Sequence, residues 1–425
     1  MEYNKTNEIL RSISIFLIVT LCYSTPLFAK HYVLNANDKS FTIYKAIQLA
    51  KRNDTILLQS GTYPCVALKV DKPLVIIGIG KVILDGKNLD EIVLVYSSNV
   101  VLKNLEIHNS NIGSMKDYAG IKVFRSRNVR IQSCKLINCF FGIYLSDSKS
   151  CLIQNCSSFG KNYGMSNTGN GIHLWKCDSI AIRNNQMEGH RDGIYFEFAK
   201  HCKIIQNKCM KNFRYGLHFM FSDNDTYTSN TFQSNGTGVA VMYSKAIVMT
   251  GNRFENNWGD AAYGLLLKDI SNSFIHANIV SNNTVGITME GCSNVWLNAN
   301  TFKQNGFALR VWANCLNDTF CHNNFISNTF DASTNGELQL DNFDYNYWDK
   351  YQGYDLSKDK IGDIPFHPVS IYSMLIQQMP YAVMLLHSFV IDLLDRAEKN
   401  VPSLTPAAFV DNYPLIQPYD TSKKY

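Results

Sequence analysis

Apolar and polar residues alternate along most of this chain in short runs broken by Asn, Gly, Ser and Asp. Runs this short read as half-buried strands joined by tight turns. The pattern also repeats. Gly or Ala followed by an aliphatic residue recurs at Gly120, Gly142, Gly171, Gly193, Gly216, Gly238, Gly264, Gly286 and Ala308, in steps of 22, 29, 22, 23, 22, 26, 22 and 22 residues. A second column keeps the same phase: Cys134, Cys156, Asn185, Asn207, Asn230, Asn252, Asn278, Asn300 and Asn323. Two residues beyond it runs a third, mostly apolar: Met187, Cys209, Phe232, Phe254, Val280, Phe302 and Phe325. Columns in phase identify a structural repeat whose unit is one turn of 22 residues. A unit so small cannot bury its apolar face alone, so turns stack about 4.8 Å apart into a solenoid bonded from turn to turn. The expected fold is an all-β, right-handed parallel β-helix, its hand following from the crossover rule.

Asparagine is the unusual component, with 23 in the 158 residues from Gly171 to Asn328. It suits the corners because it tolerates left-handed backbone angles and its amide can bond neighbouring backbone or the Asn of the next turn. The ends of the repeat differ in pattern. Residues 39–63 read as an amphipathic helix on Ile43, Ala46, Ile47 and Ala50, then a strand over 55–58 and a turn at Gly61-Thr62-Tyr63. Such a helix can cover the open end of the stack. Upstream, residues 13–21 are an almost unbroken apolar run, followed by Ser24, Thr25 and Ala29. The run is shorter than the ~18 residues of a membrane span and reads as part of an export signal. Downstream, residues 364–391 hold no Asp, Glu, Lys or Arg, and Pro368 and Pro380 interrupt them. That stretch reads as helices that either pack on the solenoid or dock to a membrane subunit. The expected organisation is a signal over 1–29, a β-helix with its N-terminal cap over 30–362, and a helical docking tail over 363–425.

Composition narrows the function. With 46% hydrophobic and 18% charged residues among 425, the chain is neither disordered nor collagen-like. Forty basic and thirty-five acidic side chains give +5 without any basic run, so nucleic-acid binding has no footprint. Of 12 cysteines, eleven lie beyond the signal, an odd number that cannot all pair within the chain. Cys134 and Cys156 share a column on adjacent turns and could meet; the others read as small core or corner residues.

Overlaying the turns brings out the chemistry. If the residue after each column Gly points inward, the outward pairs are His173 and Trp175, Tyr195 and Glu197, His218 and Met220, Ala240 and Met242, Leu266 and Lys268, Thr288 and Glu290. His173, Glu197, His218, Met220 and Met242 therefore fall on one outer face over four consecutive turns. Thioether and imidazole donors favour Cu(I), so His218, Met220 and Met242 form a candidate soft-metal site, with His173 and Glu197 as outer or alternative ligands. The plainer reading makes the methionines surface hydrophobes beneath a partner. His190 stands where other turns place a second Asn, at Asn212, Asn235, Asn257, Asn283 and Asn305. There it either braces the 160–170 insertion beside an Arg191–Asp192 ion pair or belongs to the same functional face.

Several stretches carry a family resemblance. Gly171-Ile-His-Leu-Trp175, Gly189-His-Arg-Asp-Gly-Ile-Tyr-Phe-Glu197, Tyr215-Gly-Leu-His-Phe-Met-Phe-Ser222, Gly238-Val-Ala-Val-Met-Tyr-Ser244, Asn257-Trp-Gly-Asp-Ala-Ala-Tyr-Gly264 and Asn346-Tyr-Trp-Asp349 with Gly353-Tyr-Asp355 resemble the NosD family over about residues 160–415. Phe219 and Lys360 depart from the family pattern, where Tyr and Gly are expected, and the N-terminal third is similar only as a β-helix. The resemblance implies a periplasmic, non-enzymatic maturation protein of nitrous oxide reductase. It also implies partners: an ABC-type permease and its ATPase, a copper-chaperone lipoprotein and the reductase, with copper as cargo. The competing class is a β-helix polysaccharide-binding protein, lyase, epimerase or hydrolase. An enzyme of that class needs a carboxylate pair, or a carboxylate and a base, within reach of one sugar ring. The outward columns offer only Glu197 and Glu290, several turns apart. A surface adhesin would require neither the His and Met cluster nor the uncharged tail.

Overall fold

The computed structural model describes residues 29–113, 116–160, 168–259, 262–336, 341–386, 388–400 and 409–421. It is a parallel β-solenoid in which a typical turn has one long strand of about six residues and two short strands of three. The long strands build one 12-stranded sheet; the short ones join into a 24-stranded sheet wrapping the other two sides. Eight long strands concern us: β1 (Ile172–Trp175), β2 (Asp192–Glu197), β3 (Tyr215–Met220), β4 (Thr237–Met242), β5 (Tyr263–Lys268), β6 (Val285–Glu290), β7 (Phe307–Val311) and β8 (Phe330–Thr334). Each pairs in parallel with the next, in the register the sequence columns define: Ile172 opposite Ile194, then Leu217, Val239, Leu265, Ile287 and Leu309.

The glycine column has a steric cause. A Cβ on Gly216 would lie 2.7 Å from the carbonyl oxygen of Gly238 and 2.8 Å from the side-chain amide of Asn235. At Gly193, Gly238 and Gly264 the same two obstacles recur, the next column carbonyl and a ladder Asn. At these four turns only a bare Cα fits.

The asparagines form two buried ladders. In the first, Asn207, Asn230 and Asn252 each donate their backbone N–H and side-chain Nδ2 to the Oδ1 of the next rung, at 2.8 to 3.0 Å. Nδ2 of Asn230 also donates to the Ile204 carbonyl at 2.8 Å. The second ladder runs through Asn212, Asn235, Asn257, Asn283, Asn305 and Asn328. The left-handed angle expected of these asparagines belongs to the residue before each of them: Asn184, Gln206 and Ser229 have φ of 54°, 55° and 54°. The turn is made one position early, and that orients the ladder amide inward along the stack.

Apolar side chains fill the interior in stacked rows, such as Phe302 on Phe325 at 4.8 Å and Phe325 on Trp348 at 4.0 Å. Helix α1 (Ile43–Leu49), capped by the Thr42 hydroxyl, buries Ile43, Ala46 and Ile47 in the same core and covers the N-terminal end. The adjoining strand runs unbroken over Thr55–Pro64. The expected turn at Gly61 is instead a register shift within it, where a Cβ would lie 2.4 Å from Ala36.

At the C-terminal end, helices α2 (Ile371–Gln378) and α3 (Phe389–Asn400) and a 3-10 turn (Pro380–Leu385) form an excursion. Its Tyr372, Ile376 and Ile391 pack with Phe330 and Phe307 of the long-strand face. The chain then returns. Phe409 stacks on Phe343 at 3.8 Å, Tyr413 stacks on Tyr345, and Leu415 pairs with Tyr347. Asp411 accepts from the Asn346 N–H, where the next ladder Asn would stand, and from Trp348 Nε1 at 2.8 Å. Residues 409–421 thus close the last turn.

All eleven cysteines among the described residues are free thiols, ten of them buried, so Cys134 and Cys156 are not bridged. The signal expected over 1–29 lies, apart from Ala29, outside the described residues. No described helix is long and apolar enough to cross a membrane.

Candidate functional site

The long-strand face carries two outward columns where the sequence placed its candidates. One runs Tyr144, His173, Tyr195, His218, Ala240, Leu266 and Thr288. The other runs Trp175, Glu197, Met220, Met242, Lys268 and Glu290. Met220 and Met242 are direct neighbours on β3 and β4, with Glu197 the rung before them. His218 stands two residues from Met220 on the same strand. Residues directly opposite across a strand pair bring their Cβ atoms to about 5 Å. His173 lies two turns from His218 with Tyr195 between them, so the two histidines do not adjoin.

Burial differs from the open face the alternation implied. His218 points away from the core yet is only 6% exposed, because the rings of Tyr195 and Tyr215 flank it at 5.1 and 4.7 Å. The aromatic row continues through His173 to Tyr144 and Phe141. His173 is fixed by a 3.0 Å bond between its Nδ1 and Asn170, and burial, helped by the Arg191 charge, pushes its pKa down to about 3. It stays neutral. Glu197 accepts from the Tyr195 hydroxyl at 3.1 Å, and burial together with that carboxylate pushes the phenol up to about 12.

Beside His218 lies a group the sequence paired wrongly. Asp192, fully buried, is held not by Arg191 but by Arg214 of the next turn, whose Nε donates to Oδ1 at 2.8 Å while Nη2 donates to Oδ2. Tyr215 is the residue in register opposite Asp192, and Arg214, one position before it, reaches across the turn to the carboxylate. Burial raises the Asp192 pKa, but the Arg214 and His218 hydrogen bonds outweigh it and hold the carboxyl below its ordinary value. His218 turns Nδ1 toward this pair, 3.5 Å from Arg214 Nη2 and 3.9 Å from Asp192 Oδ2. Its Nε2 is buried without a hydrogen-bond partner. The nearer contact of Nδ1 is the Arg214 guanidinium, and Nε2 is the ring nitrogen left open to a ligand. Among the described residues no three His, Cys, Asp or Glu side chains converge as a metal-binding group. Any metal on this face would therefore draw on the thioethers.

His190 proves to be internal. Its backbone N–H joins the second ladder through Asn212, and its Nε2 meets the Ser158 hydroxyl at 2.9 Å. Burial pushes its pKa down to about 4. The Arg191 N–H bonds the Gly169 carbonyl; the rest of the insertion, 161–167, lies outside the described residues. The sequence reading also missed an aromatic corner next to the methionines. Phe198, Phe221 and Tyr243 stack at 5.2 Å spacings with φ of 54°, 50° and 53°, all three exposed. Each directly follows Glu197, Met220 or Met242, a periodicity that was available to find it.

The fold and this face together define a right-handed parallel β-helix protein with a histidine- and methionine-bearing side. Residues 161–354 match the family model NosD, described as a periplasmic copper-binding protein, and residues 54–169 match a model of right-handed β-helix regions. Over residues 161–354 the chain is similar to the NosD family. Relatives called probable ABC transporter binding protein NosD include one from Stutzerimonas stutzeri, 24% identical over 268 residues, and one from Pseudomonas aeruginosa, 26% identical over 368. The matches cover 59% and 82% of this chain, and 60% and 85% of those proteins. Among solved structures, the A-module of the mannuronan C-5 epimerase AlgE6 of Azotobacter vinelandii superposes with a TM-score of 0.63 at 13% identity, over 75% of this chain and all of that one. At that identity the likeness is one of fold.

Proposed function

We propose that this protein is a periplasmic accessory factor for maturation of nitrous oxide reductase. In this reading it works with an ABC-type permease and its ATPase, accepts Cu(I) from a lipoprotein chaperone, and delivers it toward the reductase copper centres. The reading assigns it no catalysis. One observation supports it above the rest. The NosD-matched segment contains the face on which Met220 and Met242 are in register beside a histidine whose Nε2 has no partner. Soft thioethers with an imidazole whose Nε2 has no partner suit Cu(I), which accepts few, polarisable ligands. Their partial burial suits a cargo that must be held away from oxidants and then released. The polysaccharide-enzyme alternative needs an accessible carboxylate beside a base. Asp192, the acid nearest His218, is fully buried and occupied by Arg214.

The test is Cu(I) competition against a chelator under reducing conditions. His218→Ala with Met220→Leu and Met242→Leu should keep the fold, since the core side chains are untouched, and should lose Cu(I) affinity at least ten-fold. Reductase matured beside the triple variant should lack copper. Wild-type affinity in that variant would remove these residues from the reading and turn attention to the buried thiols, beginning with Cys134 and Cys156.

A further inference from the structure

Further along the same face, the outward column continues from Thr288 on β6 to Arg310 on β7 and Ser333 on β8, in register on consecutive turns. Thr288 is 3% exposed and Ser333 fully buried, yet neither hydroxyl has a hydrogen-bond partner. Arg310 Nε is likewise buried and unpartnered, as is the indole Nε1 of Trp312, two residues along on the same side. Among the described residues no carboxylate lies in ion-pair range of Arg310; Glu290 is taken by Lys268 at 2.9 Å. The guanidinium instead lies over the Phe307 ring at 4.8 Å, and burial holds its pKa below the ordinary arginine value.

A desolvated cation without a counter-ion is costly, and so is each buried donor left unmade. Here a guanidinium, two hydroxyls and an indole N–H collect on one patch with nothing to accept from them. Adjacent strands lie about 4.8 Å apart, so three rungs span roughly 10 Å, room for one small group with two or more oxygens. Guanidinium favours planar or tetrahedral oxyanions, which take its parallel N–H groups together. We infer that Thr288, Arg310 and Ser333 form a binding site for an oxyanion of the carboxylate or sulfate class. The site is three turns from His218 and independent of the copper reading. The anion is either free in solution or a carboxylate displayed by a bound protein.

The test uses the full exported chain in a low-ionic-strength buffer. Sodium sulfate and, separately, a tetraglutamate peptide are titrated by calorimetry into wild type, Arg310→Gln and Arg310→Lys. Wild type should bind at least one probe, at least ten-fold more tightly than either variant. Arg310→Lys keeps the charge but loses the fork and serves if Arg310→Gln folds poorly. Sulfate binding marks a free anion as the source, and preference for the peptide marks a partner's carboxylate. With no anion present, Arg310→Gln should melt no lower than wild type, because it removes an uncompensated charge. The inference falls if wild type binds neither probe, if both variants bind as wild type does, or if Arg310→Gln melts lower without anion.

Discussion

At the residue scale the molecule depends on side chains that replace backbone. Asn230 makes three kinds of bond at once: it accepts from the turn before, donates to the turn after, and donates to the Ile204 carbonyl. Asn230→Leu fills the space but leaves the Asn207 N–H and the Ile204 carbonyl buried and unmatched. We expect a loss of about 3 kcal/mol, checked by urea unfolding; an unchanged midpoint would mean water replaces the amide. Two buried acids at another corner predict a pH effect. Burial pushes Asp225 and Asp318 up to about 7 each. Because the folded state then binds protons more tightly than the unfolded chain, their contribution is full below the ordinary carboxylate pKa of about 4 and is lost as pH rises through 7. The melting midpoint should fall between pH 5 and pH 8, and Asp225→Asn with Asp318→Asn should flatten that slope. Asp192, shifted the other way, acts only at lower pH.

At the element scale the long strands β1 to β6 are each confined by the corner glycine that precedes their inward residues. Gly216→Ala places a methyl against the Gly238 carbonyl and the Asn235 amide, and overpacking of this kind costs about 1 to 3 kcal/mol. Hydrogen exchange should show the loss concentrated in β3 and β4, spreading if the ladder separates. Much of this was legible in the sequence, because turns contact one another at a nearly fixed separation and the Gly and Asn columns state that separation outright. Strand register, and the pairing of Met220 with Met242, follow from counting. What counting could not give is how the face packs upon itself. Tyr195 and Tyr215 close over His218, and Arg214 reaches Asp192 across a turn, through rotamers and not spacing. The position of the left-handed residue also escaped, since Asn, Gln, Ser, Gly and Ala all occupy it.

At the scale of the whole molecule the tail divides in two. One part is a helical excursion whose tip exposes Tyr381, Met384 and Phe389 at 86, 84 and 79%. The other, 409–421, is the closing turn of the solenoid. The periodic signal ends near Trp348, so nothing in the pattern foretold that the chain comes back. If the excursion docks to the membrane permease named in the proposed function, Tyr381→Ser, Met384→Ser and Phe389→Ser together should abolish co-purification with that permease and leave the melting curve unchanged. Retention at the wild-type level would detach the tip from the partner.

The asparagine ladder has one more consequence. From Asn185 to Asn346 the side-chain amides of successive rungs point the same way, oxygen toward the N-terminal turn and N–H toward the C-terminal one. In the parallel sheets each strand bonds both neighbours and largely cancels its own moment, but this row does not cancel. The solenoid therefore has an electrical direction, with a partial positive pole at its C-terminal end. Asp411 stands at that pole, where its carboxyl accepts from the Asn346 backbone N–H while burial pushes its pKa up to about 6.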